Sequence, residues 1–234
     1  AALKSGRYDL KRTAVIMSQT GGGCRASNYI GFIRKALKDA GMEHIPVVSL
    51  NTVGLEKNPG FQLTVRMVKR CVMAMVYGDL LMRLTNASRP YEKNEGETNA
   101  LLTKWIKYLK PSLTKMSRRE FHRNIRRIIK DFENMEFRNV KKPKVGVVGE
   151  ILVKFHPFAN NYIVDTLEKE GAEAVLPDLT DFFLYCAHNA IYSREKLSGS
   201  FKANMIARYI IWRIENYRRV MKKSLKKSKR FDPP

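Results

Sequence analysis

Short apolar runs and longer amphipathic segments alternate in the first part of the chain. Residues 13–17 and 46–50 are apolar runs of strand length, and between them, in residues 25–40, apolar side chains recur at helical spacing. Gly41 follows that helical pattern, at a position where glycine often closes a helix. Because strand, helix and strand follow one another, this segment predicts a parallel βαβ unit with a right-handed crossover.

A second segment of the same order lies later in the chain. Residues 144–149 form an apolar run, residues 160–170 have helical spacing, and Gly171 precedes a further apolar run at residues 174–177. This order predicts a second βαβ unit. The cores of the four predicted parallel strands are residues 13–17, 47–50, 145–148 and 174–176.

The remaining segments predict helices. Residues 61–84 carry apolar side chains on one face and predict a long, largely buried helix. Residues 97–110 and 117–136 predict basic amphipathic helices, and the second opens with a capping box from Ser117 to Glu120. Two further helices are predicted at residues 181–192 and 201–225.

Together these patterns predict an α/β fold: a parallel Rossmann-like sheet built from two βαβ units, with a helical insertion and a C-terminal helix. Residues 226–234 are too polar to pack and predict a frayed end or a linker. The predicted divisions are a first βαβ unit at residues 1–60, a basic helical insertion at 61–143, a second βαβ unit with its following helix at 144–192, and a basic C-terminal helix and tail at 193–234.

The composition narrows the classes of protein to which the chain belongs. Its 234 residues are 44% hydrophobic and 10% aromatic, which excludes a globally disordered chain. No apolar run reaches the roughly 18 residues of a membrane span, so no membrane partner is expected. Three cysteines are too few for a disulfide scaffold, and their odd number favours a reducing compartment, so we predict a cytoplasmic location. The first residue is not methionine, which indicates a processed chain or a fragment.

The formal net charge of +22 is concentrated in two stretches. Residues 101–144 carry a net charge of +10 and residues 194–230 a net charge of +11. Such stretches are typical of proteins that bind nucleic acid or another polyanion, but they also occur on solvated helices and on helices that face an acidic partner. The sequence has no zinc-finger spacing, aromatic RNA-binding motif or basic-zipper heptad, so nucleic-acid binding is the less favoured alternative.

A glycine-rich loop follows the first predicted strand. Three consecutive glycines let backbone N–H groups approach a ligand, and the following helix adds its positive N-terminal end. A cysteine at that helix end, beside an arginine, is expected to favour its thiolate, which would serve as a metal or cluster ligand, as a redox thiol or beside an anion site. A tight strand-to-helix turn with a passive cysteine explains the same residues. The loop consists of Thr20, Gly21, Gly22, Gly23, Cys24 and Arg25.

A second loop, residues 150–161, leaves the predicted strand at 144–149. Ligands bind at the carboxyl ends of parallel strands, so the two loops lie at one edge if both units share a sheet. His156 is a candidate acid, base or ligand, although a structural role is favoured, and Asn160 is favoured as a helix cap. The polar candidates of this loop are Glu150, His156, Asn160 and Asn161.

The other two cysteines are predicted to be structural. Cys71 lies on the apolar side of the helix predicted at 61–84, and Cys186 follows Phe182, Phe183 and Leu184. Both are expected to be small core residues. The remaining cysteine, Cys24 in the glycine-rich loop, cannot hold an iron–sulfur cluster alone. A cluster therefore needs ligands from outside that loop.

The chain resembles the large proteins in which an ATPase activator of 2-hydroxyacyl-CoA dehydratases is fused to dehydratase-like modules. The glycine-rich loop carries the most specific part of the resemblance, and the basic insertion is less distinctive. The matching segments are residues 20–29, 41–51, 54–61, 148–161 and 171–186.

The resemblance implies an anaerobic, cytoplasmic iron–sulfur system. In such systems the activator hydrolyses ATP and passes one electron to a dehydratase, which then removes water from a 2-hydroxyacyl-CoA. Only Cys24 matches a cysteine that is expected, from the resemblance, to ligate a [4Fe–4S] cluster. The resemblance assigns no catalytic residue to this chain. The expected partners are the remaining modules of a longer chain, including the ATPase activator, and an acyl-CoA. This chain then corresponds to a middle-to-late fragment that is not active alone.

Overall fold

The chain divides into two compact units, residues 1–64 and residues 65–234. The structure, a computed structural model, describes residues 2–19, 25–50 and 64–234. The described chain is mostly helical, with a few short parallel strands, which gives it an α/β character.

The first unit is a single strand–helix–strand motif. Strand β1 (Val15–Ser18) pairs in parallel with β2 (Val47–Leu50), and the register places Val15 opposite Val47 and Ser18 opposite Leu50. Helix α1 (Arg25–Asp39) connects the strands and packs on them through buried apolar side chains one to two turns apart. Gly41 follows α1 with φ +69°, a left-handed conformation that favours glycine. The first predicted βαβ unit is confirmed in its element order and parallel pairing.

The second unit consists mainly of helices around one small sheet. Strand β3 (Lys144–Gly146) pairs in parallel with β4 (Glu173–Val175), and helix α2 (Val65–Ser88) packs against β4. The helices are α2 (Val65–Ser88), α3 (Glu97–Ser112), α4 (Arg118–Glu133), α5 (Ile151–Phe155), α6 (Ile163–Lys169), α7 (Leu179–Lys196) and α8 (Phe201–Leu225).

The strands pair as predicted but are divided between two sheets. Within the described ranges, β1 pairs only with β2 and β3 only with β4, so each sheet has two strands. The strands of the second sheet are three residues long, and β4, in which Glu173 and Ala174 are buried, packs against α2. Helix packing, rather than a longer ladder of strands, therefore covers this sheet.

The main hydrophobic core lies between α2, α3, α4 and the second half of α8. In α4, Phe121, Ile125, Ile128 and Phe132 recur at helical spacing and are completely buried, as expected for an amphipathic helix. Ser117 caps this helix, because its side chain accepts a hydrogen bond from the backbone N–H of Glu120. The predicted basic amphipathic helix is thus confirmed, with its apolar face in the core.

The C-terminal segment packs against the core, so the prediction of a frayed end is wrong. Phe231 is 3% exposed and belongs to the hydrophobic core cluster. The guanidinium carbon of Arg230 lies 3.4 Å from the ring centroid of Phe137, a cation–π contact. The buried ring of Phe231 therefore holds this segment against the core, although the residues around it are polar.

Among the helices of residues 2–19, 25–50 and 64–234, none is both long enough and apolar enough to cross a bilayer.

Candidate functional site

The glycine-rich loop joins β1 to α1 in the first unit. Its residues Thr20, Gly21, Gly22, Gly23 and Cys24 lie outside the described residues, whereas Arg25 is the exposed first residue of α1. The loop therefore begins at the carboxyl end of a parallel strand and ends at a helix N-terminus, where ligands and anions commonly bind.

Gln19 connects the three elements that surround this loop. Its backbone N–H donates to the carbonyl of Leu50, and its side-chain Nε2 donates to the carbonyl of Ser27 at 2.9 Å. The hydroxyl of Ser49 donates to Gln19 Oε1 at 2.7 Å. One glutamine thus bridges the end of β1, the first turn of α1 and the adjacent strand β2. These contacts fix the distance between the two ends of the loop.

The second loop folds into two short helical segments instead of an open loop. Glu150 caps α5, because its carboxylate accepts a hydrogen bond from the N–H of Val153. His156 Nδ1 accepts from the N–H of Ala159 at 3.3 Å and so opens a 3₁₀ helix, Pro157–Asn160. These two predicted site residues therefore make local capping contacts in this structure.

Asn160 and Asn161 shape the end of the same loop. The amide of Asn160 donates to the carbonyl of Val153 at 2.9 Å, and its oxygen accepts from the N–H of Ile163 at the start of α6. Asn161 and Tyr162 both have left-handed backbone conformations, with φ of 55° and 56°. Such conformations are uncommon for tyrosine and cost of order 1–3 kcal/mol each.

The two described cysteines are exposed, so the prediction that they are core residues is wrong. Cys71 lies in the first turns of α2, and that helix enters the core only from Met73 onwards. Cys186 lies in α7, which buries only Thr180 and Ala187. Burial of part of the Cys186 side chain still raises the pKa of its thiol. The part of the chain that the structure describes contains no group of three or more His, Cys, Asp and Glu side chains placed to hold a metal ion.

A buried ionic network lies just after β4, in the second unit. The carboxylate of Asp178 is fully buried and accepts from Arg83 at 2.8 Å and from Arg218 at 3.0 Å. Burial alone would lower the pKa of Arg218, but the nearby carboxylates of Asp181, Asp178 and Glu215 outweigh it and raise the pKa. The network holds the start of α7 against α2 and α8.

Asp79 completes this network from the interior of α2. One carboxylate oxygen accepts from the N–H of Leu179, and the other accepts from the N–H and the hydroxyl of Thr180. A side chain of α2 therefore caps the N-terminus of α7. Burial raises the pKa of Asp79 despite these hydrogen bonds, and the negative charge of Asp178 adds to the increase.

A cavity of about 390 Å³ lies beside β3 and β4. In it, the hydroxyl of Tyr91 donates to the buried Glu173 carboxylate at 2.8 Å, and Lys144 lies 3.6 Å from the same carboxylate. Burial and this hydrogen bond raise the pKa of Tyr91 to about 12. Arg230 closes one side of the cavity and contacts the Tyr91 ring. Both acidic residues that line this cavity in the described chain, Glu173 and Asp232, thus already have a protein partner, because Lys144 also lies 3.6 Å from Asp232.

A larger groove of about 970 Å³ lies between α4 and the C-terminal part of α8. The apolar side chains of Ile129 and Val220 line it, and Glu133 is the one acidic residue among its lining residues in the described chain. The groove brings together the two basic stretches of the sequence. Its cationic residues are Arg118, Arg126, Arg219, Lys223, Lys226 and Lys227.

His122 lies in the same groove, on α4. Its ring contacts that of Phe121, and its Nε2 is buried with no hydrogen-bond partner in the described chain. Burial lowers the pKa of His122, and the positive charges of Arg118 and Arg126 lower it further. Burial and the two neighbouring guanidinium groups therefore both disfavour the protonated imidazole.

The sequence patterns did not predict the ionic network or the groove. The available signal for the network was Asp79, a charged residue within the apolar pattern of a buried helix. Such a residue needs a partner, but the pattern does not identify it. For the groove, the sequence shows the two basic stretches. Only the packing of α4 on α8 shows that these stretches meet.

Comparison of the chain with models of protein families, with curated proteins and with solved structures finds no match.

Proposed function

We propose that this chain is a dehydratase-like module of a cytoplasmic iron–sulfur protein related to the activators of 2-hydroxyacyl-CoA dehydratases, built on Rossmann-like βαβ units. The observation that supports the proposal best is the position of the glycine-rich loop. The loop with the most specific resemblance lies at the carboxyl end of β1 and before the N-terminus of α1. This is where α/β proteins commonly bind ligands.

In this proposal Cys24 holds a [4Fe–4S] cluster through its thiolate. The N-terminus of α1 and the guanidinium of Arg25 both favour a negative charge on that thiol. Gln19 supports the loop by fixing its ends to α1 and β2. The bound cluster supplies one-electron chemistry.

The other ligands come from outside the described part of this chain. The described residues form no cluster of potential ligands, and one thiolate does not hold an iron–sulfur cluster. The proposed partners are therefore the other modules of a longer chain, including an ATPase activator, together with an acyl-CoA.

Iron binding tests this proposal. The longer protein that contains this chain is reconstituted anaerobically with iron and sulfide, and the bound iron is measured by metal analysis. We expect Cys24→Ser to lose most of the bound iron, because it removes the proposed thiolate ligand. Cys186→Ser is the matched control, since Cys186 is an exposed cysteine on α7. Equal iron contents in the two variants would contradict the proposal.

A further inference from the structure

The cations that line the groove between α4 and α8 are exposed, unlike the buried or partly buried arginines of the second unit that pair with carboxylates. Arg83, Arg89 and Arg218 each form an ion pair with a carboxylate. Within residues 64–234, Arg126 and Arg219 form no ion pair, and the same holds for Lys223, Lys226 and Lys227. The groove therefore concentrates positive charge that the described protein does not neutralise.

Both walls of the groove carry this charge. Arg118 and Arg126 lie on α4, whereas Arg219 and Lys223 lie on α8. Arg118 spans the groove, because its guanidinium donates to Asn216 Oδ1 of α8 at 2.9 Å. Like charges on two packed helices repel one another unless an anion lies between them. The arrangement thus favours a bound anion.

The shape and lining of the groove distinguish between kinds of anion. Its volume of about 970 Å³ lies within the range of small-molecule sites. No phenylalanine, tyrosine or tryptophan is among its lining residues in the described chain, and the imidazole of His122 already contacts the ring of Phe121, so the groove offers no extended platform on which bases of a single strand stack. Phosphate groups carry up to two negative charges each and match the fork of an arginine, whereas each acidic residue of a peptide brings one charge.

We propose that this groove is a binding site for a compact molecule that carries several phosphate groups. Arg118, Arg126 and Arg219 bind the phosphates from the two walls, and the lysines at the end of α8 neutralise the remaining charge. The apolar side chains of Ile129 and Val220 contact the uncharged part of the ligand. The inference is independent of the proposed function, because the residues that line the groove belong to the second unit, whereas the glycine-rich loop belongs to the first.

The pKa of His122, followed by NMR, distinguishes a groove that binds phosphate groups from a groove with only a structural role. Burial and the cations Arg118 and Arg126 lower the pKa of its imidazole in the free protein. A bound polyphosphate offsets those positive charges, so the pKa of His122 rises on binding. The charged residues that line the groove together with His122 are Arg118, Arg126, Glu133, Arg219, Lys223, Lys226 and Lys227.

Binding of inorganic tripolyphosphate is measured by calorimetry at about 0.15 M salt, a concentration that screens weak surface attraction. We expect binding to one site, with a rise in the pKa of His122 followed by NMR. The double variant Arg126→Gln/Arg219→Gln removes one guanidinium from each wall and should weaken binding by about a hundredfold, tenfold for each lost charged hydrogen bond.

The matched control is Arg123→Gln/Lys202→Gln. These two exposed cations lie on the same helices, α4 and α8, outside the groove, and the control removes the same net charge. It should bind tripolyphosphate as the unchanged protein does. Equal weakening in both variants would show that only the overall charge matters. Tighter binding of a polyglutamate peptide or of an oligonucleotide than of tripolyphosphate would also overturn the proposal.

Discussion

At the scale of single residues, Asp178 of the second unit is a buried charge that depends on its ion-pair partners. Its side chain has no exposed surface, and two arginines on different helices donate to it. Arg218 is itself 3% exposed and also contacts Asp181 and Glu215. A buried charge that loses its partner is costly, because neither water nor protein then solvates it.

Asp178→Asn should therefore destabilise the protein. The substitution keeps the size of the side chain but removes the charge that faces Arg83 and Arg218. We expect the free energy of unfolding to fall by about 3 kcal/mol, at the low end for a broken buried pair because Arg218 retains two other carboxylates. Urea unfolding followed by circular dichroism measures this change.

The control for this prediction is an ion pair of similar length at the surface. Lys93 and Glu136 are separated by 2.9 Å, and both side chains are largely exposed. Glu136→Gln should lower the free energy of unfolding by less than about 1 kcal/mol. If Asp178→Asn costs no more than this control, the buried network does not contribute to stability as described.

At the scale of elements, local patterns predicted the helices well where an amphipathic period was long. The predicted helix at residues 201–225 has the same bounds as α8, and Ser117 caps α4 as its capping pattern indicated. The segment at 150–161 differed, because the short helix α5 and the 3₁₀ helix after it depend on side-chain caps rather than on an apolar period. Short elements of this kind leave little hydrophobic signal in a sequence.

In the C-terminal segment, one aromatic side chain, Phe231, packs the segment against the core. Phe231→Ala should lower the free energy of unfolding by about 3–5 kcal/mol, because Phe231 lies in the main core and its removal leaves a cavity. Phe201→Ala is the matched control, since Phe201 is 62% exposed and should change stability little. Thermal unfolding measures both variants, and equal effects would contradict the packing of the tail.

At the scale of the whole molecule, what the sequence could not predict is mainly long-range contact. Asp79 and Thr180 are 101 positions apart in the chain, and Arg83 and Asp178 are 95 apart. Hydrophobic periodicity reports which face of an element is buried, but it does not report which other element covers that face. The separation of the four strands into two sheets and the meeting of two basic stretches in one groove have the same origin.

The candidate site shows the same division between local and long-range information. The order of strand, glycine-rich loop and helix could be predicted, because each part has a local signature. The hydrogen bonds from Gln19 to α1 and from Ser49 of β2 to Gln19 could not, because they join residues 8 and 30 positions apart through the fold. The exposure of Cys71 and Cys186 also depends on packing, and it makes both of them useful references.

Protection of Cys24 from alkylation tests the proposed iron–sulfur role most directly. The longer protein that contains this chain is treated anaerobically with iodoacetamide before and after loading with iron and sulfide, and mass spectrometry measures labelling at each of the three cysteines of this chain. A thiolate bound to iron is no longer free to react, so loading should strongly slow the labelling of Cys24. Cys71 and Cys186 are exposed and should label at the same rate before and after loading. Labelling of Cys24 that does not change on loading, or equal protection of all three cysteines, would contradict its assignment as a cluster ligand.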